Sequence, residues 1–527
     1  MKYSAYLILF LFSMFMFSCK EDEVIPPDNK EDDENPGENY TAPDYPDNYV
    51  DIAGWNQRQQ WNLANVHDPT VAKDGDYYYM CQTDASYGNA HIGHGHFHFR
   101  RSKDLVNWEY RGAAFYDPPA WVKDSLNNMR SRDGLPPIDH PDYGYWAPVL
   151  RKVGNQFRLY YSIVVTNPIV GTNTDYSWTE RAFIGLAVTD DLASNDWVDK
   201  GMVVSSEPDG KETYTRRNGN DWSAYFQFNA IDPSFIETPE GEHWLVYGSW
   251  HSGIAAVQLD PETGKPYSWN KLSDYGVRIA GRGNVSTNRW QALEGPEIIY
   301  NENTGYYYLF LAYDELSVAY NTRVARSKNI TGPYLGLNGM NVTNGAECWP
   351  MLVHPYRFDN HPGWVGISHC ALFQNPGTGE WFYTSQGRLP EGAYGNPYAN
   401  AIMMGHVRKV EWTSDGWPVV MPERYAAVPQ TAISDSMLVG NWEQIIMEYR
   451  YREMQTSVNF TLNSDYTVSG ELSGNWSYNA EQKLLTLGNY ELIVRNGLDW
   501  EADPRTPTLV YSGLTGYGKP VWGKKVE

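Results

Sequence analysis

From about Tyr49 to Gln430 the chain lacks long stretches with the three-to-four-residue apolar spacing of an amphipathic helix. Short alternating or aromatic runs recur instead, such as Tyr77-Tyr78-Tyr79 and Tyr306-Tyr307-Tyr308, cut by Gly, Asn, Asp and Pro turns. Five segments open alike, an apolar strand following a short polar signature: Val66-His67-Asp68-Pro69, Tyr145-Trp146-Ala147-Pro148, Ala230-Ile231-Asp232-Pro233, Leu293-Glu294-Gly295-Pro296 and Ile367-Ser368-His369-Cys370. A hairpin signal such as Lys73-Asp74-Gly75-Asp76 or Asn303-Thr304-Gly305 follows, then a second strand. A repeat of roughly 60 to 90 residues with about four strands is the mark of propeller blades. The pattern therefore predicts an all-β chain with a five-bladed β-propeller over residues 49–430. After about Thr431 the texture changes to shorter alternating strands, Thr456 to Leu462 and Lys483 to Leu487 among them, which predicts a small C-terminal β-barrel or sandwich over 431–527.

The start of the chain reads differently. Met1-Lys2, an apolar stretch from Tyr6 to Phe17 and then Ser18-Cys19 form an export signal too short to span a bilayer stably. A small residue directly before Cys19 resembles the lipobox of bacterial lipoproteins, which implies a lipoprotein signal peptide over 1–19 in which Cys19 is acylated, becomes the mature amino terminus and anchors the protein in the outer membrane. Lys20-Glu21-Asp22-Glu23 resembles the acidic tag that sends Bacteroidetes lipoproteins to the cell surface, with a periplasmic location as the alternative. Residues 20–48 are rich in Pro, Asp, Glu and Asn and poor in large apolar side chains, the composition of a flexible tether.

A net charge of −23 disfavours nucleic acid and anionic lipid as partners. The 40 Tyr and 21 Trp exceed what strand cores alone need and suit stacking on the apolar faces of sugars. An uncharged plant polysaccharide or oligosaccharide fits both facts, with the chain acting as a monomer. Setting Cys19 aside, Cys81, Cys348 and Cys370 allow at most one disulfide, have no metal-ligand spacing, and read as small core residues.

Asp68, Asp232 and Glu294 each open an inner strand, with Pro one or two residues on. One Asp before Pro is an ordinary turn residue, but three carboxylates in register around a channel suit glycosidic cleavage, where one group protonates the leaving oxygen and another activates water. Glu297, three residues beyond Glu294, should face the other way in a regular strand. His94, His96 and His98 share a strand face and could form a metal site, although hydrogen bonding to sugar or plain exposure explains them without a metal.

Between about Asn62 and Tyr425 the sequence resembles glycoside hydrolase family 43, and within it the arabinanases. The resemblance rests on His67-Asp68-Pro69, the run Arg101 to Glu109, Tyr145 to Pro148, Asn229 to Pro233 and Glu294-Gly295-Pro296, with Tyr247 to Ile254, Leu259 to Gly264 and Trp412 to Pro418 pointing to arabinanases. It implies an inverting endo-1,5-arabinanase in which Asp68 is the general base, Glu294 the general acid, and Asp232 the group that raises and orients that acid. It also implies calcium near His369 at the channel centre, largely coordinated by water. Trp146, Asn229, Ser249, Trp250 and His251 adjoin the signatures and are the candidate substrate contacts. Val149 stands where the family commonly has Asp, so altered channel contacts are expected there. The alternatives are an exo-acting α-L-arabinofuranosidase or β-xylosidase on the same fold, and a non-catalytic surface glycan-binding protein. The C-terminal domain either binds sugar or braces the propeller.

Overall fold

Each of the five repeats folds into an antiparallel sheet in the computed structural model, which describes residues 40–165, 181–208, 226–283, 292–359 and 361–526. The leader, Cys19 and most of the tether lie outside the described residues. Blade 1 comprises Thr70–Asp74, Tyr77–Cys81, His96–Ser102 and Glu109–Phe115; blade 2, Tyr143–Val153, Gln156–Val165, Arg181–Thr189 and Val198–Ser205. Blade 3 runs Ser234–Glu237, His243–Tyr247 and Ile254–Asp260, with Lys265–Pro266 and Val277–Ala280 sharing the outer edge. Blade 4 is Leu293–Asn301, Tyr306–Tyr313, Asn321–Ser327 and Met351–Val353; blade 5 is Val365–Gln374, Trp381–Arg388, Met404–Trp412 and Pro418–Val420.

The middle strands, covered by neighbouring blades on both faces, read as continuous apolar runs; Arg181–Thr189 is buried at every position. First strands of successive blades touch in order, and that of blade 5 meets that of blade 1, so the ring is closed. Residues just ahead of blade 1 help close it. Val66 N–H donates to the Met403 carbonyl at 3.2 Å and Gly405 N–H to the Leu63 carbonyl at 2.8 Å, joining the start of the propeller to blade 5. Cys81, Cys348 and Cys370 are free and buried.

The C-terminal domain is a closed eight-stranded barrel, Gly440–Ile446 pairing with Pro520–Val526 to shut it. Trp442, Phe460, Trp476 and Tyr511 fill its interior, the ordinary outcome for eight strands. Trp522 on the closing strand packs into the same core as Tyr356 and Trp364 of the propeller. Tyr356–Arg357 also pairs in parallel with Gln455–Thr456.

The end of the segment read as a tether departs from that reading. Tyr45 packs against Trp500 at 5.4 Å, and Asp47 is buried in an ion cluster with Arg424 at 2.6 Å, His361 at 3.2 Å and Arg505 at 3.4 Å. Composition alone hid this because a single Asp supplies most of the attachment. Burial would raise the Asp47 carboxyl, but Arg424 foremost, with His361 and Arg505, holds it well below the usual carboxylate range.

Because removing one partner strands the other charges, Asp47→Ala should cost about 3–5 kcal/mol in denaturant unfolding. Asp47 has a depressed folded pKa, so its stabilisation is present above the ordinary Asp range and is lost as pH falls through and below that range. The difference between wild type and Asp47→Ala should therefore shrink on acidification; a constant difference from neutrality to strong acid would contradict this.

Candidate active site

One backbone device builds the site. One residue just before or early within each inner strand has left-handed φ: Asp68 at 46°, Ala147 at 37°, Asp232 at 55°, Gly295 at 54° and His369 at 51°. For a non-glycine residue this costs about 1–2 kcal/mol, and the ladders of blades 2, 4 and 5 shift register at the kink. In blade 4 the kink falls on glycine, where a Cβ would sit 3.0 Å from the His369 ring. Glu294 is therefore one residue earlier in register than Asp68 and Asp232, aligned with His67, Trp146, Ile231 and Ser368. Kink residues and their predecessors converge from all five blades.

They line a cavity of about 570 Å³ that contains His67, Asp68, Trp146, Ile231, Asp232, Glu294 and His369, with Thr83, Ser249, Trp250, Tyr320 and the turn Glu315-Leu316-Ser317 completing the wall. Asp68 accepts from the Thr83 hydroxyl at 2.6 Å and faces His369 Nδ1 at 3.0 Å and His67 Nε2 at 3.5 Å. Its backbone N–H donates to Gln386 Oε1 at 3.0 Å. Burial would raise the Asp68 carboxyl, yet His369, then His67, together with hydrogen bonds from His369 and Thr83, hold it well below the carboxylate range. Burial likewise opposes protonation of His369, but Asp68 and then Asp232 push it up to about 10. Asp68 and His369 thus form a buried ion pair.

Glu294 receives three donors: Ser249 Oγ at 2.8 Å and Trp250 Nε1 at 2.8 Å on one oxygen, and the Tyr320 hydroxyl on the other. Ser249 and Trp250 ride on a turn whose first residue must be glycine, since a Cβ on Gly248 would meet the Gly253 carbonyl at 2.4 Å. Asp232 accepts from the Gly295 N–H at 3.1 Å, gripping the peptide next to Glu294. Its carboxyl is pushed up to about 7, first by burial and then by the charges of Glu294 and Asp68, against the opposing effect of His369. A carboxylate, a carboxyl raised toward neutrality and a donor-ringed Glu on opposing blades supply the parts of acid–base hydrolysis.

Not every candidate reaches the cavity. Asn229 is buried behind it, accepting from Ser206 Oγ at 2.9 Å. His251 is buried against Phe226 at 4.9 Å. Both lie close in sequence to wall residues, Ile231 and Trp250, but pack behind the wall. Val149 packs in the core between blades 2 and 3, so the departure noted there does not alter the channel. Glu297 faces away from the cavity and ties four blades together through Arg151, Ser234 Oγ at 2.7 Å and the Leu372 N–H at 3.1 Å. The histidine tract disperses: His94 stacks on Trp55 at 3.9 Å, His96 pairs with Asp84 at 2.6 Å, and His98 meets Tyr110 at 2.9 Å. Thr83, Tyr320, Gln386 and Glu315 were not singled out from sequence, because they lie on second strands and their following loops, where no local signature marks them.

A five-bladed propeller with three carboxylates facing one central cavity has the build of a propeller glycosidase. The chain belongs to glycosyl hydrolases family 43, whose model matches residues 63–418, and a C-terminal lipocalin-like domain model matches residues 422–523. It is 28% identical over 500 residues, 89% of this chain and 96% of the other, to an extracellular endo-alpha-(1->5)-L-arabinanase of Thermotoga petrophila. It is 27% identical over 370 residues, 68% of this chain and 86% of the other, to an extracellular exo-alpha-(1->5)-L-arabinofuranosidase of Cellvibrio japonicus. The crystal structure of the endo-1,5-alpha-L-arabinanase from Thermotoga petrophila superposes with a TM-score of 0.66 at 26% identity, over 88% of this chain and 99% of that one.

A raised folded pKa makes Asp232 destabilising once ionised. Between the ordinary Asp range and about 7, wild type should lose stability relative to Asp232→Asn as pH rises, with the difference levelling above that value. Parallel stability profiles for the two proteins over that window would refute the assignment.

Proposed function

We propose that the protein is an inverting endo-acting arabinanase that cuts α-1,5-linked arabinan within the chain, with a plant cell-wall polysaccharide as its partner. The observation that carries this reading is the convergence of Asp68, Asp232 and Glu294 on one cavity. Asp68, ionised and anchored by Thr83 and His369, takes a proton from water. Glu294 gives a proton to the departing glycosidic oxygen. Asp232, its carboxyl pushed up to about 7, fixes the acid's peptide through the Gly295 N–H. Inversion follows if water fits between Asp68 and the anomeric carbon, which requires roughly 6.5–9.5 Å between base and acid. Trp146 and Trp250 offer ring surfaces and Ser249 a hydroxyl at the cavity wall. The endo reading is favoured over the exo one because the endo-acting relative matches across both domains.

A resident calcium ion fits this cavity as a largely hydrated ion. His369 Nδ1 faces Asp68 at 3.0 Å, so His369 would reach calcium only through Nε2 and only by giving up the proton of its ion pair with Asp68; the remaining ligands would be oxygens, mostly of water. When bound it would supply fixed positive charge at the channel centre. At the amino terminus, the Ser18-Cys19 junction supports a lipid-anchored outer-membrane protein displayed at the cell surface; metabolic labelling with a palmitate analogue, lost in Cys19→Ser, is the check.

Linear debranched arabinan should yield mixed oligosaccharides early in digestion. Monosaccharide alone would establish the exo reading instead, and binding without turnover the non-catalytic one. Asp68→Asn should abolish turnover on every substrate. Glu294→Gln should lose at least about 10²-fold on arabinan but far less on an aryl arabinoside whose leaving group needs little protonation. A proton spectrum showing the first-formed sugar with retained configuration would overturn the assignment. Exhaustive chelation should lower activity and melting temperature, with calcium restoring both in wild type but not in His369→Ala. Full activity in protein shown metal-free by elemental analysis would remove calcium from the account.

A further inference from the structure

The turn following the second strand of blade 4 forms part of the cavity wall through Glu315, Leu316 and Ser317, and it leads directly into Tyr320, whose hydroxyl donates to Glu294. Both of its leading acidic residues are gripped. Asp314, with left-handed φ of 72°, is buried; it accepts from Asn321 Nδ2 at 2.8 Å and pairs with Arg282. Glu315 folds the turn onto itself, accepting from the backbone N–H groups of Ser317 at 2.8 Å, Val318 at 3.3 Å and Ala319 at 3.1 Å, and from the Ser317 hydroxyl. Blade 5 holds the far side, Asn400 Nδ2 donating to the Ser317 carbonyl at 3.0 Å and the Gly366 N–H to the Val318 carbonyl at 3.0 Å.

Both acidic residues also connect to the barrel. The barrel loop between Gly440–Ile446 and Gln455–Thr456 places Arg452 Nη1 3.6 Å from Glu315 Oε1, and Arg452 itself holds a left-handed φ of 62°. Three residues earlier, the Tyr449 hydroxyl accepts from Arg282 Nη2 at 3.4 Å, the same guanidinium that pairs with Asp314. The Tyr449 ring lies over Arg323 at 4.5 Å, with Tyr313 against the same guanidinium at 4.4 Å. One loop of the second domain therefore reaches both ends of the acidic pair that starts the wall turn, and that turn carries the donor to the acid.

We propose that Tyr449 and Arg452 of the barrel are positioning residues for the acid step: through Asp314 and Glu315 they set the turn that holds Tyr320 against Glu294. This rests on the reading of Glu294 as the general acid. The barrel is then a working part of the catalytic cleft and not only a brace. Chemistry that depends on proton donation should feel the loss of this clasp, whereas chemistry that does not should be spared.

The test compares kcat on linear arabinan with kcat on a nitrophenyl arabino-oligosaccharide, using the full-length chain. Arg452→Ala should lower arabinan turnover about fivefold, the scale of an exposed ion pair, with KM little changed and aryl-substrate turnover within about twofold of wild type. Arg452→Lys should recover most of the loss, and Glu315→Gln should lose more, with Arg452→Ala adding nothing further in its presence. Tyr449→Phe, which keeps the ring over Arg323 but removes the acceptor of Arg282, should show the same split more weakly. Arg450→Ala, a neighbour with its own partners Glu448 and Glu453, should leave both rates unchanged. Equal loss on both substrates in Arg452→Ala, no loss at all, or additivity with Glu315→Gln would overturn the proposal while wild-type arabinan cleavage leaves the parent reading intact. A wild-type protein inactive on arabinan would overturn both.

Discussion

The left-handed kink just before or early within each inner strand is the constraint on which the site depends. An extended strand alternates its side chains between faces, so a regular propeller would bring only every second residue to the channel. At the kinks of blades 1 and 3 two successive residues reach it, His67 with Asp68 and Ile231 with Asp232, whereas blades 2, 4 and 5 each contribute one of the pair, Trp146, Glu294 and His369. Four of the five kinks fall on residues with a Cβ, at Asp68, Ala147, Asp232 and His369, and each carries a backbone cost. The closed ring offsets it. Asp68 is held by Gln386 of blade 5 and by Thr83, while the Asp232 N–H donates to Ser162 of blade 2 at 3.2 Å. Strain of this kind collects at functional sites because only an over-determined surround sustains it.

Charge is handled in the same way at the domain junction. The Glu423, Asp499 and Glu501 carboxyl groups lie within 4.8 Å of one another around the buried Lys524 ammonium, which is 2.8 Å from Asp499 and 3.3 Å from Glu423; burial and Glu501 push the Glu423 carboxyl well above the usual range. Arg424 lies 4.0 Å over the Trp500 ring while pairing with Asp47. Buried ions of this kind add little net stability over apolar packing but penalise any other arrangement heavily. They therefore fix how the barrel sits on the propeller, which matters because the barrel loop reaches the cleft wall at Glu315.

Much of this was legible in the sequence. Five openings in register gave five blades, and the shift to short alternating strands after Thr431 gave a second β-domain. Asp68, Asp232 and Glu294 could be read as convergent because propeller repeats superpose like positions. The register offset of Glu294 could not, since Glu-Gly-Pro and Asp-Pro look alike until the kink shows which residue takes the left-handed conformation. Asn229 and His251 were read as cleft residues from their neighbours, and that inference fails where the backbone turns sharply. Tyr320 and Thr83 depend on strand pairing across the sheet, and Asp47 on contacts with residues far along the chain, such as Arg424. Short windows of sequence do not carry those contacts.

The central claim is that a base on blade 1 and an acid on blade 4 face each other across water and a glycosidic bond. A crystal structure of the Glu294→Gln variant with a linear arabino-oligosaccharide tests it most directly. The account predicts the chain running through the cavity, the scissile oxygen within hydrogen-bond reach of the side chain at position 294, and a water on Asp68 aligned with the opposite face of the anomeric carbon. A sugar seated with Asp68 in direct contact with that carbon and no room for water, or a chain bound away from the cavity, would contradict it.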